Sequence, residues 1–342
     1  MCGIAGLIDL KAQTSAQELQ QITTWMSDAL FHRGPDGGDV WVDGETGVGL
    51  GHRRLAIIDL SEAGHQPMAS SDGRFMLVYN GEVYNADELR AELIALGYTF
   101  KGHSDTEVIV NGFSAWGVQK TIERLNGMFA IAAWDKKTRT FYLIRDRIGI
   151  KPVFWGLVEN HLVFASELKA LHAFPKWQPK LNREAIASYL RFTNVPAPHS
   201  VYENIHKLEQ GCILSFNVGD EPKITRYWDA QTAARQGKEN PFQGSEIEAI
   251  DQLETLLSDA VQRRMVADVP LGAFLSGGVD SSCIVALMQQ NASRPAQTYS
   301  IGFDVAGFNE AEFAKEVATH LKTDHTELYV TCLLYTSDAA DE

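Results

Sequence analysis

The stretch that decides the fold of the first two thirds of the chain is Met128–Asp146, MFAIAAWDKKTRTFYLIRD. Met128 to Trp134 is an unbroken apolar run and Phe141 to Ile144 is a second, and each has the length of one strand. The polar DKKTRT between them can close an antiparallel hairpin, whereas a parallel crossover needs about a dozen residues or more. The same pattern repeats outward in CGIAGLID (2–9), VGLGHRRLAIID (48–59), FMLVYNGEVYN (75–85), PVFWGLV (152–158) and HLVFAS (161–166), the last two joined by another short polar turn, ENH. Helical periodicity interrupts these strands in SAQELQQITTWMSDAL (15–30), in ADELRAELIALG with its terminal Gly97, and in SDTEVIVNGFSAWG, where Ser104 is a natural N-cap. Sheets covered by helices define an α+β domain over residues 1–227.

From Trp228 to Gly244 the composition turns polar and loses apolar periodicity, which reads as a linker. Beyond it, over 245–331, a long helix (SEIEAIDQLETLLSDAVQRRM) is followed by strand PLGAFL, helix DSSCIVALMQQ, strand QTYSIGF, helix NEAEFAKEVATHL and strand TELYV. Strict alternation of strand and helix is the pattern of an open parallel α/β sheet.

The 342 residues are 45% hydrophobic and 22% charged, a globular composition that excludes a disordered or fibrous chain. A net charge of −14 repels phosphate backbones and anionic membranes, so neither nucleic acid nor a membrane is an expected partner. No apolar run reaches the roughly 18 residues of a membrane span, and no N-terminal targeting segment is recognisable. Cys2, Cys212, Cys283 and Cys332 form no C-x-x-C pair, which argues against a zinc site or a disulfide framework and for a reducing, cytoplasmic setting.

Cys2 directly follows the initiator Met, whose removal would place thiol and α-amine on one residue, a nucleophile carrying its own base. An amino-acid substrate is a zwitterion and needs a cation for its carboxylate and an anion for its ammonium; Arg53 or Arg54 and Asp105 can supply these. Thiolate attack on an amide builds an oxyanion, for which the Asn80 side chain and the Gly81 N–H are candidate donors. Each feature also has a structural reading. Asn-Gly is the dipeptide of a type I′ hairpin turn, the arginines fit solvated strand charges, and Asp105 fits a first-turn acid favoured by the helix dipole.

In this order and spacing MCGIAG, HRGPDG, RRLAIIDL, YNGEVYN, SDTE, GMFAIAAWD and RDRIGIKP closely resemble the glutaminase domain of the glutamine-dependent asparagine synthetases, N-terminal-nucleophile (class II) amidotransferases of αββα sandwich fold. The resemblance implies glutamine hydrolysis through a thioester on Cys2, with Asn80 and Gly81 as oxyanion hole. It places glutamine against Arg54, Leu55, Ala56, Ile57, Ile58, Glu82 and Asp105. Arg54 is chosen over Arg53 because the family's arginine directly precedes the leucine matched by Leu55, and neighbouring strand residues face opposite ways.

The loop SGGVDSS (276–282), between a strand and a helix, has the glycines and hydroxyls of a phosphate cradle but lacks the Lys-Ser/Thr of a Walker A loop. It resembles the pyrophosphate loop of ATP-pyrophosphatase domains. That resemblance implies ATP held by Ser276, Gly277, Gly278, Asp280, Ser281 and Ser282, an adenine pocket lined by Leu275 and Ile301, and Mg²⁺ with Asp280 as its carboxylate ligand. The implied substrates are glutamine, aspartate and ATP, with β-aspartyl-AMP as intermediate and a homodimer as the candidate full-length assembly. The alternatives are a related ATP-dependent amidotransferase acting on another carboxylate and a catalytically dead glutamine-binding fragment. The resemblance stops near Val330, so the chain is expected to hold only the first part of a synthetase domain and to be glutaminase-competent at most. The tail Cys332–Glu342, CLLYTSDAADE, back-translates to a transposase sequencing adaptor and is expected to be translated adaptor.

Overall fold

The computed structural model describes residues 1–217, 220–303 and 309–330, so the tail read as adaptor lies outside the described residues. The chain divides into two compact units, Met1–Asn240 and Pro241–Glu342.

The first unit runs β1 (Gly3–Asp9), α1 (Ala16–Asp28), β2 (Gly37–Asp43), β3 (Val48–Arg54), β4 (Met68–Ala69), β5 (Phe75–Val83), α2 (Ala86–Ala95), α3 (Asp105–Trp116), α4 (Val118–Arg124), β6 (Gly127–Asp135) and β7 (Thr140–Arg145). It continues with β8 (Phe154–Val158), β9 (His161–Ala165), α5 (Leu168–His172), α6 (Arg183–Phe192), β10 (Ile205–Lys207), β11 (Cys212–Asn217), β12 (Lys223–Arg226) and α7 (Ala230–Glu239). One sheet has the order β10-β8-β9-β1-β3-β2 and the other β12-β11-β7-β6-β5-β4, with antiparallel neighbours throughout. The expected hairpins are present as β6–β7 and β8–β9.

Period-two alternation explains why the two sheets stack. Ile4 and Ile8 of β1, Val48 and Leu50 of β3 and Phe164 of β9 face Met76 and Val78 of β5, Trp134 of β6 and Phe141 of β7 across a dry interface. The Phe141 and Phe164 rings meet across it at 5.2 Å, and each such buried side chain contributes roughly 1.5–3 kcal/mol. Ala5 and Leu7 of β1 point the other way, onto Leu19, Ile22 and Met26 of α1. Leu77 and Ile131 of the second sheet point outward onto α2, α3 and α4. The result is a four-layer αββα sandwich, the architecture the resemblance implies.

Three local expectations change. The strand expected over VGLGHRRLAIID stops at Arg54, because the N–H groups of Leu55 and Ala56 bond the Cys2 sulfur and Asp36 Oδ2 instead of a neighbouring strand. Asn80-Gly81 is no turn: β5 runs straight through it, paired with Ala130 and Phe129 of β6. The stretch read as an irregular linker contains α7, capped by Asp229 and without a buried residue; its apolar stripe is only Ala230, Ala233 and Ala234, too small to mark a helix in the sequence.

The second unit runs α8 (Glu246–Arg263), β13 (Gly272–Phe274), α9 (Val279–Asn291), β14 (Gln297–Phe303), α10 (Ala311–Leu321) and β15 (Asp324–Val330). Its strands form a parallel sheet in the order β13-β14-β15, as the alternation of strand and helix predicts. α8 begins with a capping box in which Ser245 and Glu248 satisfy each other's main-chain N–H. Among the described residues no helix is long and apolar enough to cross a membrane.

Candidate active site

At one end of the sandwich a cavity of about 330 Å³ opens between the sheets. The alternation that builds the core also aims its walls. Cys2 extends β1 on the inward-facing side of Ile4 and Ile8, Asn80 continues the inward side of Val78 on β5, and Arg54 continues that of Leu50 on β3. Cys2, Arg54, Leu55, Ile57, Ile58, Asn80, Gly81, Glu82 and Asp105 all line the cavity. Ala56 does not appear in its wall and is tied to Asp36 instead. Arg53 faces outward, ion-paired to Asp28 with its guanidinium 5.6 Å from the Phe31 ring, so the choice between the two arginines follows from strand geometry.

Leu55 donates its N–H to the Cys2 sulfur at 3.4 Å, and Arg33 donates its Nε–H to the Cys2 carbonyl at 2.9 Å while pairing with Glu167 at 2.7 Å. Burial pushes the Cys2 thiol up from its ordinary pKa, and the Leu55 N–H partly offsets it. Asn80 is 1% exposed, and its Nδ2 has no hydrogen-bond partner, a buried donor directed into a cavity that also contains the thiol.

The N–H groups of Tyr79, Gly81 and Val83 point to one edge of β5. That of Tyr79 donates to Gln66 Oε1 at 2.6 Å and that of Val83 to Asp105 Oδ2 at 2.9 Å, with Gly81 between them on the cavity wall. Gly81 makes no ladder bond to Phe129 opposite, because the N–H and C=O of Phe129 are both spent on Asp146, at 3.1 and 2.9 Å. Asn80 Nδ2 and the Gly81 N–H thus form a pair of preorganised donors.

Asp105 is buried at the start of α3, behind its cap Ser104, and accepts the Tyr79 hydroxyl at 2.7 Å. Burial raises its carboxyl above the ordinary range against these hydrogen bonds, and drives the Tyr79 hydroxyl well up. An incoming ammonium would supply the counter-charge that Asp105 lacks. Composition and motif reading passed over Tyr79, Gln66, Thr106 and Met128 as cavity walls, and also Lys151, whose ammonium reaches the Met1 sulfur at 3.3 Å and is pushed down by burial. The only signal for Lys151 was its place in RDRIGIKP. That loop is pinned by Arg145, which donates to the carbonyls of Gly149, Lys151 and Leu208.

In the second unit Ser276–Gly278 leads into α9, whose N-cap is Gly278. Gly277 has a φ of +76°, and a Cβ there would lie 2.7 Å from Phe313 Cβ, so the turn requires glycine. Ser276 and Ser281 hydroxyls bond each other at 2.9 Å, while the buried Ser282 hydroxyl has no partner. The Leu275 side chain is 2% exposed, packed against Val285 and Ala314, so it can offer a nucleotide its main chain but not the apolar wall expected of it; Ile301 is 46% exposed. Asp280 is exposed in the first turn of α9, and no cluster of three or more His, Cys, Asp or Glu residues that could hold a metal occurs among the described residues. A single carboxylate still fits a cation that reaches the protein mainly through nucleotide phosphates.

Residues 1–228 match the glutamine amidotransferase domain and residues 252–333 the asparagine synthase domain. The chain belongs to the glutamine amidotransferase family. It is 36% identical to an asparagine synthetase [glutamine-hydrolyzing] 3 of Bacillus subtilis over 89% of its own length and 48% of that protein's. A putative asparagine synthetase [glutamine-hydrolyzing] 2 of Methanocaldococcus jannaschii is 34% identical, over 96% of this chain and 65% of the relative. A Gibberella zeae protein named amidase chry2 is 30% identical over 95% of the chain and 50% of its own length. The chain therefore spans about half to two thirds of the length of these relatives. Among solved structures, the glutamine phosphoribosylpyrophosphate amidotransferase of B. subtilis superposes with a TM-score of 0.51 at 15% identity, covering 96% of this chain and 91% of that one, a likeness of fold.

Proposed function

We propose that the first unit hydrolyses glutamine at Cys2 and that the whole protein uses the released ammonia to make asparagine from aspartate and ATP. Arg54 holds the substrate carboxylate, and Asp105 with Glu82 holds its ammonium, which sets the side-chain amide against the sulfur. The thiol proton passes to the α-amine that Cys2 carries once Met1 is removed, and sulfur attacks the amide carbon. Asn80 Nδ2 and the Gly81 N–H donate to the resulting oxyanion. Collapse returns the proton to the departing ammonia and leaves a γ-glutamyl thioester, which water hydrolyses to glutamate and free thiol. While Met1 remains, the nitrogen of Cys2 is an amide and cannot act as the base.

The observation that carries this reading is the unpartnered Asn80 donor buried beside Cys2. In the second unit Ser276, Gly277, Gly278, Asp280, Ser281 and Ser282 would cradle the ATP phosphates, with Asp280 contacting Mg²⁺. When bound, the ion neutralises charge on the pyrophosphate leaving group. A cytoplasmic setting belongs to the same proposal.

In a full-length version, replacing Cys2 with Ala should remove glutamine-dependent synthesis and leave ammonia-dependent synthesis; equal loss of both contradicts the proposal. A second reading is amidation of a carboxylate other than aspartate; one relative carries the name amidase chry2 and not asparagine synthetase. ATP–pyrophosphate exchange in the full-length protein, with aspartate against other acids, separates the two.

A further inference from the structure

The loop that follows Arg54 is built around Asp59, a carboxylate only 1% exposed in a residue with a φ of +57°. Asp59 is not itself among the residues that line the cavity, so it is not placed to meet substrate. Its oxygens instead bind two separate segments. Oδ1 accepts from the N–H and hydroxyl of Ser61, and Oδ2 accepts the N–H of His103 at 2.8 Å. Its carbonyl accepts from Arg54 Nη2, and Arg54 Nη1 donates to the Ser61 carbonyl at 3.2 Å.

The second segment is equally constrained. The N–H groups of Lys101 and Gly102 donate to the two oxygens of Glu107, both at 2.9 Å, and Arg90 donates to the carbonyls of Gly102 and Ser104 at 3.1 and 2.8 Å. Ser104 then caps α3, whose first residue is Asp105. Two glycines make room for this arrangement. A Cβ on Gly64 would run into the Arg54 guanidinium and the Asp59 carbonyl, and one on Gly102 would run into Asp59 Oδ2.

Arg54 and Asp105 sit on different elements, β3 and α3, that share no strand pairing. The Asp59 carboxylate links the loop that immobilises the arginine to the segment that leads into the aspartate, with a second, longer tie from Gln66 Nε2 to Thr106 Oγ1 at 3.3 Å further along the same loop. We infer that Asp59 is a positioning residue that fixes the spacing between the cation and the anion that receive the two charged ends of an α-amino acid. The inference rests on the glutaminase reading and adds the source of its selectivity: amino acids whose carboxylate and ammonium match that spacing enter, and amides without both charges do not.

The test uses Asp59→Asn, in which an NH₂ group replaces one accepting oxygen, and Ser61→Ala as a milder second variant that retains the carboxylate. Glutaminase kinetics are measured beside the alkylation of Cys2 by two reagents, uncharged iodoacetamide and a glutamine-shaped diazoketone that needs both recognition charges. For Asp59→Asn the KM for glutamine should rise at least ~tenfold with kcat changed much less, and the diazoketone rate should fall by a similar factor while the iodoacetamide rate holds. Ser61→Ala should move the same quantities in the same directions by a smaller factor. An unchanged KM in both variants, or an equal fall with both reagents, overturns the positioning role. A parent chain freed of Met1 that reacts with iodoacetamide but releases no glutamate from glutamine overturns the glutaminase reading beneath it.

Discussion

The main-chain N–H of Leu55 points at the sulfur of Cys2, 3.4 Å away, and joins the residue just beyond β3 to the one just before β1. The contact stabilises the thiolate, yet burial acts in the other direction and prevails. With Met1 in place, the Cys2 thiol should therefore ionise above the roughly 8.5 of a free thiol. The iodoacetamide rate at Cys2 should keep climbing as pH rises past that value, and a plateau at lower pH contradicts the balance described.

Asn80→Ala removes one of two donors without touching the groups that hold the charged ends of the substrate. The kcat for glutamine should fall by about 10²- to 10³-fold with little change in KM. A loss confined to KM would mean that Asn80 binds the ground state rather than the oxyanion.

The two adjacent arginines offer an internal control. Arg54→Lys replaces a planar fork by a point charge and should raise the KM for glutamine roughly 10- to 100-fold, the range of a lost charge-assisted hydrogen bond. Arg53→Ala removes the pair with Asp28 and the contact with the Phe31 ring, neither of them in the cavity, and should leave KM unchanged. A reversed pattern would mean that β3 presents its other face to the substrate.

His52 is fully buried between the sheets, donating from Nε2 to the Tyr79 carbonyl at 3.1 Å, and burial depresses its pKa to about 3. The unfolded chain, with an ordinary histidine near 6.5, binds more protons than the folded one between these values. Stability should thus fall as pH drops below about 6.5, by up to about 1.4 kcal/mol per pH unit from this residue alone. His52→Gln keeps a donor and cannot take up the proton. Its urea midpoint should decline less steeply than that of the parent between pH 6 and 4, and parallel declines contradict the assignment.

The sandwich was legible because β1, β5, β6, β7 and β9 are apolar runs of strand length bounded by polar turns, and the period-two facing of side chains along the strands carried Cys2, Asn80 and Arg54 to one end of it. What escaped sequence reading had a different physical origin. Leu55 and Ala56 look like strand but give their N–H groups to the Cys2 sulfur and to Asp36, and α7 is held by a cap and helix-forming residues, with only three exposed alanines on its apolar face. Gln66, Tyr79 and Lys151 act through partners 13 to 150 residues distant, separations that local pattern cannot register. Leu275 lies at a strand end as expected, but its side chain belongs to the core, which leaves its main chain to face a nucleotide.

The most direct test is incubation of the purified chain, with Met1 removed, in glutamine, following glutamate and ammonia together in parent and Cys2→Ala proteins. Equimolar glutamate and ammonia from the parent and none above background from Cys2→Ala is the predicted result. Equal release by both, or none by a folded parent whose Cys2 thiol is free, would contradict the claim that this cavity is a glutaminase site.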